Sequence, residues 1–124
     1  MIPEDKLRFA LGVGTPEDIT KFVDWGWDMF DCVIPTREAR HGRLFLWKNK
    51  EDLKKDFYDV INITNSKFKD DFSPIDKDCD CELCRNYSRG YLHHIFHTGD
   101  PLAMRLASVH NLKFYMELME KIRE

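Results

Sequence analysis

The 124-residue chain is the size of one domain, and its 43% hydrophobic and 13% aromatic content can fill a core, which excludes wholesale disorder. A formal net charge of −3 argues against indiscriminate nucleic-acid binding, and no run is long and apolar enough to cross a membrane. The opening Met1-Ile2-Pro3-Glu4-Asp5-Lys6 has no apolar core of a secretory signal, so a cytoplasmic location is expected.

Leu7 to Val13 reads as a short apolar strand closed by Gly12-Val13-Gly14. Thr15-Pro16-Glu17-Asp18 then starts a helix. Thr15 is the N-cap, Pro16 suits the first helical position, and two acids favour the positive end of the dipole. Ile19, Phe22, Val23 and Trp27 recur at helical spacing, and Gly26 is the expected terminator. Met29 to Ile34 is a nearly unbroken apolar run stopped by Pro35. Strand, helix and strand at this spacing make a βαβ unit, whose sheet is ordinarily buried on both faces. Cys32 in this run reads as a small buried hydrophobe. Asp31 breaks the run with a carboxylate. A buried carboxylate needs partners or a task, and reactive groups gather at the carboxyl ends of parallel strands. An aspartate capping the turn before Pro35-Thr36 fits the position equally well.

After Pro35 the pattern changes. Arg37, Arg40, Arg43, Lys48 and Lys50 crowd one segment with His41 among them. Such a patch on an acidic protein can steer a phosphate backbone, although a solvated charged loop explains the charges as well. His41 to Trp47 and Val60 to Thr64 are candidate strands, joined by the lysine-rich segment Lys48 to Asp59. Asp70 to Asp78 reads as an acidic loop, carrying Asp70, Asp71, Asp76 and Asp78, with Asp80 just beyond. Tyr87, Tyr91, Leu92, Ile95 and Phe96 mark a helical segment, which Thr98-Gly99-Asp100-Pro101 interrupts. A longer final helix runs on through Leu102, Leu106, Val109, Leu112, Met116 and Met119. There are no internal repeats.

Between the acidic loop and these helices lies Cys79-Asp80-Cys81-Glu82-Leu83-Cys84, and His110 follows 26 positions after Cys84. Three thiolates and one imidazole suit a single Zn²⁺ in a closed tetrahedral site, which leaves no position open for water. Such an ion holds structure together and performs no chemistry. The alternative is a disulfide framework, since the four cysteines (Cys32, Cys79, Cys81, Cys84) are even in number. That framework belongs to secreted chains, and Cys79 and Cys81 stand too close for an easy mutual bridge.

Gly-Val-Gly-Thr-Pro-Glu-Asp (12–18), Asp-Met-Phe-Asp-Cys-Val-Ile-Pro-Thr-Arg (28–37) and the cysteine run with its histidine resemble, in content, order and spacing, the bacterial tRNA-guanine transglycosylases, also called queuine tRNA-ribosyltransferases. Asn-Tyr-Ser-Arg-Gly-Tyr-Leu-His-His (86–94) and His-Asn-Leu-Lys-Phe-Tyr (110–115) extend the likeness over nearly the whole chain. The resemblance implies an α/β fold. Residues 1–40 would be the end of a (β/α)₈ TIM barrel, and residues 41–124 a zinc-binding α+β subdomain with C-terminal helices. It implies exchange of the wobble guanine in a tRNA anticodon for a 7-deazaguanine, a step toward queuosine, through a covalent aspartyl-ribose intermediate.

By motif, Asp31 matches the nucleophile, and Leu11 and Gly12 match the base pocket, where bacterial members usually have methionine in place of leucine. Arg37 and Arg40 match residues that grip the anticodon loop, and Cys79, Cys81, Cys84 and His110 match the ligands of one structural Zn²⁺. Tyr87, Tyr91 and His94 match an aromatic cluster in the family's homodimer interface. Family chains are considerably longer, and their general acid/base aspartate and most of the base pocket have no counterpart here. The segment Leu46 to Val60 exceeds the family's usual turn, and Thr64 stands where arginine is common. The chain alone is therefore expected to be inactive and to need a missing N-terminal half. The competing expectation is a non-catalytic, zinc-stabilised module that binds RNA or another subunit.

Overall fold

The computed structural model describes residues 2–124, which form two compact units, one ending at Ile34 and the other comprising Pro35–Glu124. The first is a β-α-β unit in which β1 (Phe9–Leu11) pairs in parallel with β2 (Met29–Asp31), with α1 (Pro16–Asp24) between them. Both strands are shorter than the apolar runs that encode them. Gly12, at φ +72°, ends the first, and Cys32 leaves the sheet after the second. Thr15 caps α1 as expected, its hydroxyl accepting from Asp18 N–H at 3.2 Å, with Pro16 in the first turn. Ala10 and Ile19 are buried, and Phe30 meets Phe22 with ring centroids 6.5 Å apart. Cys32 is only half-buried; it packs so closely on Gly14 that a Cβ there would lie 2.0 Å from its sulfur.

The opposite face of this two-stranded sheet is not covered within the unit. Phe9, Leu11 and Met29 are 46%, 74% and 48% exposed, and Asp31 shares their face through the Phe9↔Met29 and Leu11↔Asp31 register. The expectation of a strand buried on both faces is corrected here. One helix can cover only one side of a sheet, so Asp31 lies exposed and not in a core. No closed barrel is present among the described residues.

The helix α2 (Ile34–Arg40) leads into the second unit, where the sequence shows only an apolar run stopped by Pro35 and a basic segment after it. Pro35 stops the strand but does not prevent the helix, because the first helical turn needs no proline N–H. An antiparallel hairpin follows: β3 (Arg43–Trp47) pairs with β4 (Tyr58–Asn62), the latter two residues earlier than its apolar run suggests. A 3-10 turn (Ser66–Phe68) and the cysteine loop lead to α3 (Glu82–Asn86), α4 (Arg89–Thr98) and α5 (Pro101–Arg123). The break between the last two helices is built as the sequence specifies. Gly99 closes α4 at φ +75°, Asp100 accepts from Leu102 N–H at 2.9 Å, and Pro101 occupies the first position of α5.

Leu44, Ile63, Ile75, Leu83, Leu92 and Leu106 are fully buried in one continuous core. A second layer of rings lies beside it, with Phe45 and Trp47 at 5.5 and 4.5 Å from Phe114. Alternation of these residues along β3 and their helical spacing on α5 put both sets on facing surfaces. Gly90, in the first turn of α4, donates to Asp71 C=O at 2.7 Å, and a Cβ on it would meet the Lys69 and Asp71 carbonyl oxygens at 3.0 and 3.1 Å. Glycine-to-alanine exchange within a helix ordinarily stabilises by up to about 1 kcal/mol. Gly90→Ala is expected to reverse that sign and cost about 1 kcal/mol in urea unfolding, since the obstructing atoms are backbone. A stabilised variant would show that the loop at 69–71 gives way freely.

Candidate metal centre

The cysteine loop is anchored before its first ligand. Asp76 is 5% exposed, and its two carboxylate oxygens accept from Trp47 N–H and Asp78 N–H, each at 2.9 Å. The Asp76 carbonyl takes Cys79 N–H at 3.2 Å, so one residue ties the loop to the end of β3. The segment Asp70 to Asp78 is a loop as its sequence predicts, and Asp76 is its buried anchor. Cys81 then occupies the N-cap position of α3 and Cys84 its first turn, a spacing of three that turns both sulfurs to one side. His110 meets them from the middle of α5.

The orientation of His110 follows from one hydrogen bond. Its Nε2 lies 2.7 Å from the Phe45 carbonyl oxygen, which can only accept, so Nε2 carries a proton and Nδ1 is the nitrogen turned to the sulfurs. That Nδ1 is 3.5 Å from the sulfur of Cys81 and 3.3 Å from that of Cys84. The donor atoms of Cys79, Cys81, Cys84 and His110 all lie within 4.8 Å of one another. A tetrahedral ion bound at ordinary zinc distances separates sulfur from nitrogen by about 3.6 Å, so the pocket fits with minor adjustment. His110 is 1% exposed and Cys81 and Cys84 are buried, whereas Cys79 is partly open to solvent.

The thiols behave as a group that wants a cation. Hydrogen bonds from Cys79 and then Cys84 hold the Cys81 thiol far below its usual range, against the opposing effect of burial. Cys79 and Cys81, with burial, push Cys84 far above it. Cys81 and Cys84 are driven in opposite directions because neighbouring thiols resist ionising together. Burial works to lower the His110 value but is outweighed by hydrogen bonds to Cys79, Cys81 and the Phe45 carbonyl, which leave it raised to about 10. A metal ion replaces the protons and lets the sulfurs ionise together. The four residues can hold one ion.

Asn111 is the contributor that sequence reasoning missed. It is fully buried; its Oδ1 accepts from Phe45 N–H at 3.2 Å, and its Nδ2 donates to the Pro35 and Arg43 carbonyls at 2.9 and 3.0 Å. An amide in the apolar stripe of a helix, next to a ligand histidine, was the available signal. Asn111→Ala removes the acceptor of the buried Phe45 N–H and a donor from the Pro35 and Arg43 carbonyls, and is expected to cost about 3 kcal/mol in urea unfolding at fixed metal content. A loss well under 1 kcal/mol would mean that these bonds do not hold α5 to the hairpin.

The other residues singled out from sequence fall into three groups. In the first unit, Asp31 stands opposite Leu11, and its Oδ1 accepts from Gly12 N–H at 2.9 Å, so these three come together. In the second unit, Arg37 and Arg40 lie one turn apart on α2, both exposed; Arg37 approaches Glu38 at 3.5 Å, and Arg40 makes no ion pair among the described residues. The rest of the basic cluster is engaged internally: Arg43 with Glu38 at 2.8 Å, Lys48 with Asp56, and Lys50 with Glu117 at 2.9 Å. Tyr87 and Tyr91 stack at 5.0 Å with 16° between their planes, and His94 is exposed on α4. Tyr87 precedes α4, whose N-cap is Ser88.

Comparison with known proteins agrees over the whole length. The family model for queuine tRNA-ribosyltransferase matches residues 1–124. The queuine tRNA-ribosyltransferase of Thermoanaerobacter pseudethanolicus is 48% identical over 123 residues, 99% of this chain and 30% of that protein. That of Francisella tularensis subsp. novicida is 48% identical over the same length, covering 31% of its own chain. The chain thus spans less than a third of these relatives and corresponds to their C-terminal part.

Proposed function

The chain belongs to the queuine tRNA-ribosyltransferase family, and on that premise we propose that it carries the nucleophile and the metal-stabilised RNA-facing part of a tRNA-guanine transglycosylase. The observation that supports this best is the cluster of Leu11, Gly12 and Asp31 at the carboxyl ends of two parallel strands, with the carboxylate oriented by a backbone N–H. That is where α/β sheets present reactive groups. With Oδ1 held by Gly12, Oδ2 is left to attack ribose C1′ of the wobble guanosine. The bond from C1′ to the base breaks, its electron pair leaves on guanine, and an aspartyl-ribose ester retains the tRNA. An incoming 7-deazaguanine reverses the step through its own ring nitrogen, and two inversions restore the original configuration. The target base must leave its stack to reach Asp31, beside Leu11 and Gly12 as one wall of its pocket.

Arg37 and Arg40 are the residues of the basic cluster left most available for anticodon-loop phosphates, the others being committed to carboxylates. The cysteine cluster is assigned one Zn²⁺, which supplies a crosslink and no chemistry, because four protein ligands close the coordination sphere. Tyr87, Tyr91 and His94 are assigned to a homodimer contact, and the enzyme to the cytoplasm. The remaining barrel strands and the proton donor for the departing base come from outside this chain, so the chain alone does not turn over. A second reading, a non-catalytic RNA-binding or subunit-binding zinc module, draws support from the contrast between the closed core of the second unit and the uncovered face of the first.

Incorporation of labelled guanine into tRNA with a wobble guanine separates the two. The expectation is no exchange by the chain alone, exchange when the N-terminal part of a relative is supplied, and none in that mixture with Asp31→Asn. Exchange that survives Asp31→Asn would overturn the nucleophile assignment. Binding of tRNA without exchange in the reconstituted mixture would favour the second reading.

A further inference from the structure

Two histidines outside the cysteine cluster meet on α4. His93 and His97 stand one helical turn apart, with ring centroids 4.3 Å from each other. His93 is 8% exposed, and its Nδ1 lies 2.7 Å from the Ile63 carbonyl oxygen. The carbonyl can only accept, so Nδ1 carries the proton and Nε2 is the basic nitrogen. The same device orients His110, where the Phe45 carbonyl takes one ring N–H and the other nitrogen faces the sulfurs. A backbone carbonyl that fixes the tautomer and orientation of a histidine is the usual support of a metal ligand. His97, by contrast, is exposed and can rotate.

We propose that His93 and His97 form a second, two-imidazole site for a divalent transition-metal ion, with water completing the coordination. Histidines at i and i+4 on one helix face present two nitrogens to a single ion, and this spacing is used by zinc-binding helices. The ion must sit about 2.0–2.1 Å from both nitrogens, which asks only for rotation of His97, since His93 is already held. Imidazole ligands select Ni²⁺, Cu²⁺ or Zn²⁺, whereas Mg²⁺ and Ca²⁺ prefer oxygen. His94 lies about 100° round the helix from His93, off the row that joins His93 to His97, so it serves as an internal control.

Titration of the full chain with Ni²⁺, after one equivalent of Zn²⁺ has been bound, tests the site by calorimetry and by the imidazole resonances. One Ni²⁺ per chain is expected, with paramagnetic broadening at His93 and His97 first. His97→Ala should weaken binding by at least about tenfold, the order of effect seen when a site's supporting shell is disturbed. His94→Ala should leave it unchanged. Circular dichroism checks that the exposed His97→Ala variant keeps its helices. Absence of Ni²⁺ binding, equal affinity in His97→Ala, or equal weakening by His94→Ala would each overturn the proposal.

Discussion

The second unit depends on the backbone N–H and C=O of Phe45. Its carbonyl takes the Nε2–H of His110, and its N–H is held by the side chain of Asn111. Two adjacent residues of α5 therefore clamp one residue of β3 from both ends. The clamp sets the imidazole tautomer, and the tautomer decides which nitrogen faces the sulfurs. It also leaves the Phe45 ring stacked on Phe114 and edge-on to Tyr115, joining the polar clamp to the aromatic layer. Asp76 makes a parallel connection two residues further along β3, through Trp47 N–H. The cysteine–histidine cluster, hairpin and long helix are thus coupled through backbone groups, and side-chain shape alone does not hold them together.

Much of this organisation was legible in the chain. The ligand run stood out because sulfur and imidazole at short spacing have few other uses. The Gly99-Asp100-Pro101 break was legible because each residue acts locally, as C-cap, N-cap and first helical residue. What escaped was long-range. Asn111 and Asp76 look like ordinary polar residues until the structure brings Phe45 and Trp47 to them across 66 and 29 positions. The basic cluster looked uniform because charge in sequence does not reveal its partners, and Glu38, Asp56 and Glu117 neutralise much of it. The helix at Ile34–Arg40 was hidden by Pro35, which reads as a strand stop and fits a helix start equally well.

The two units differ in what they complete. The second buries a continuous set of leucines and isoleucines around a site able to bind an ion. The first pairs two three-residue strands and covers one face, while Phe9, Leu11 and Met29 stay open beside Asp31. A pair of short strands gains little by itself and ordinarily relies on further strands or helices. The functional proposal uses this contrast: the open face carries the residues assigned to chemistry, and the closed unit carries those assigned to structure and RNA.

The central claim, that a bound ion closes the second unit through the Phe45 clamp, is tested most directly by amide hydrogen exchange of the zinc-loaded chain and the same chain stripped by a strong chelator. Removal of the ion should free three mutually repelling sulfurs and release His110. Loss of protection is then expected across β3 and the middle of α5 together, with Phe45 N–H among the amides most affected. Unchanged protection at Phe45 and along α5 after complete removal of the metal would contradict the account.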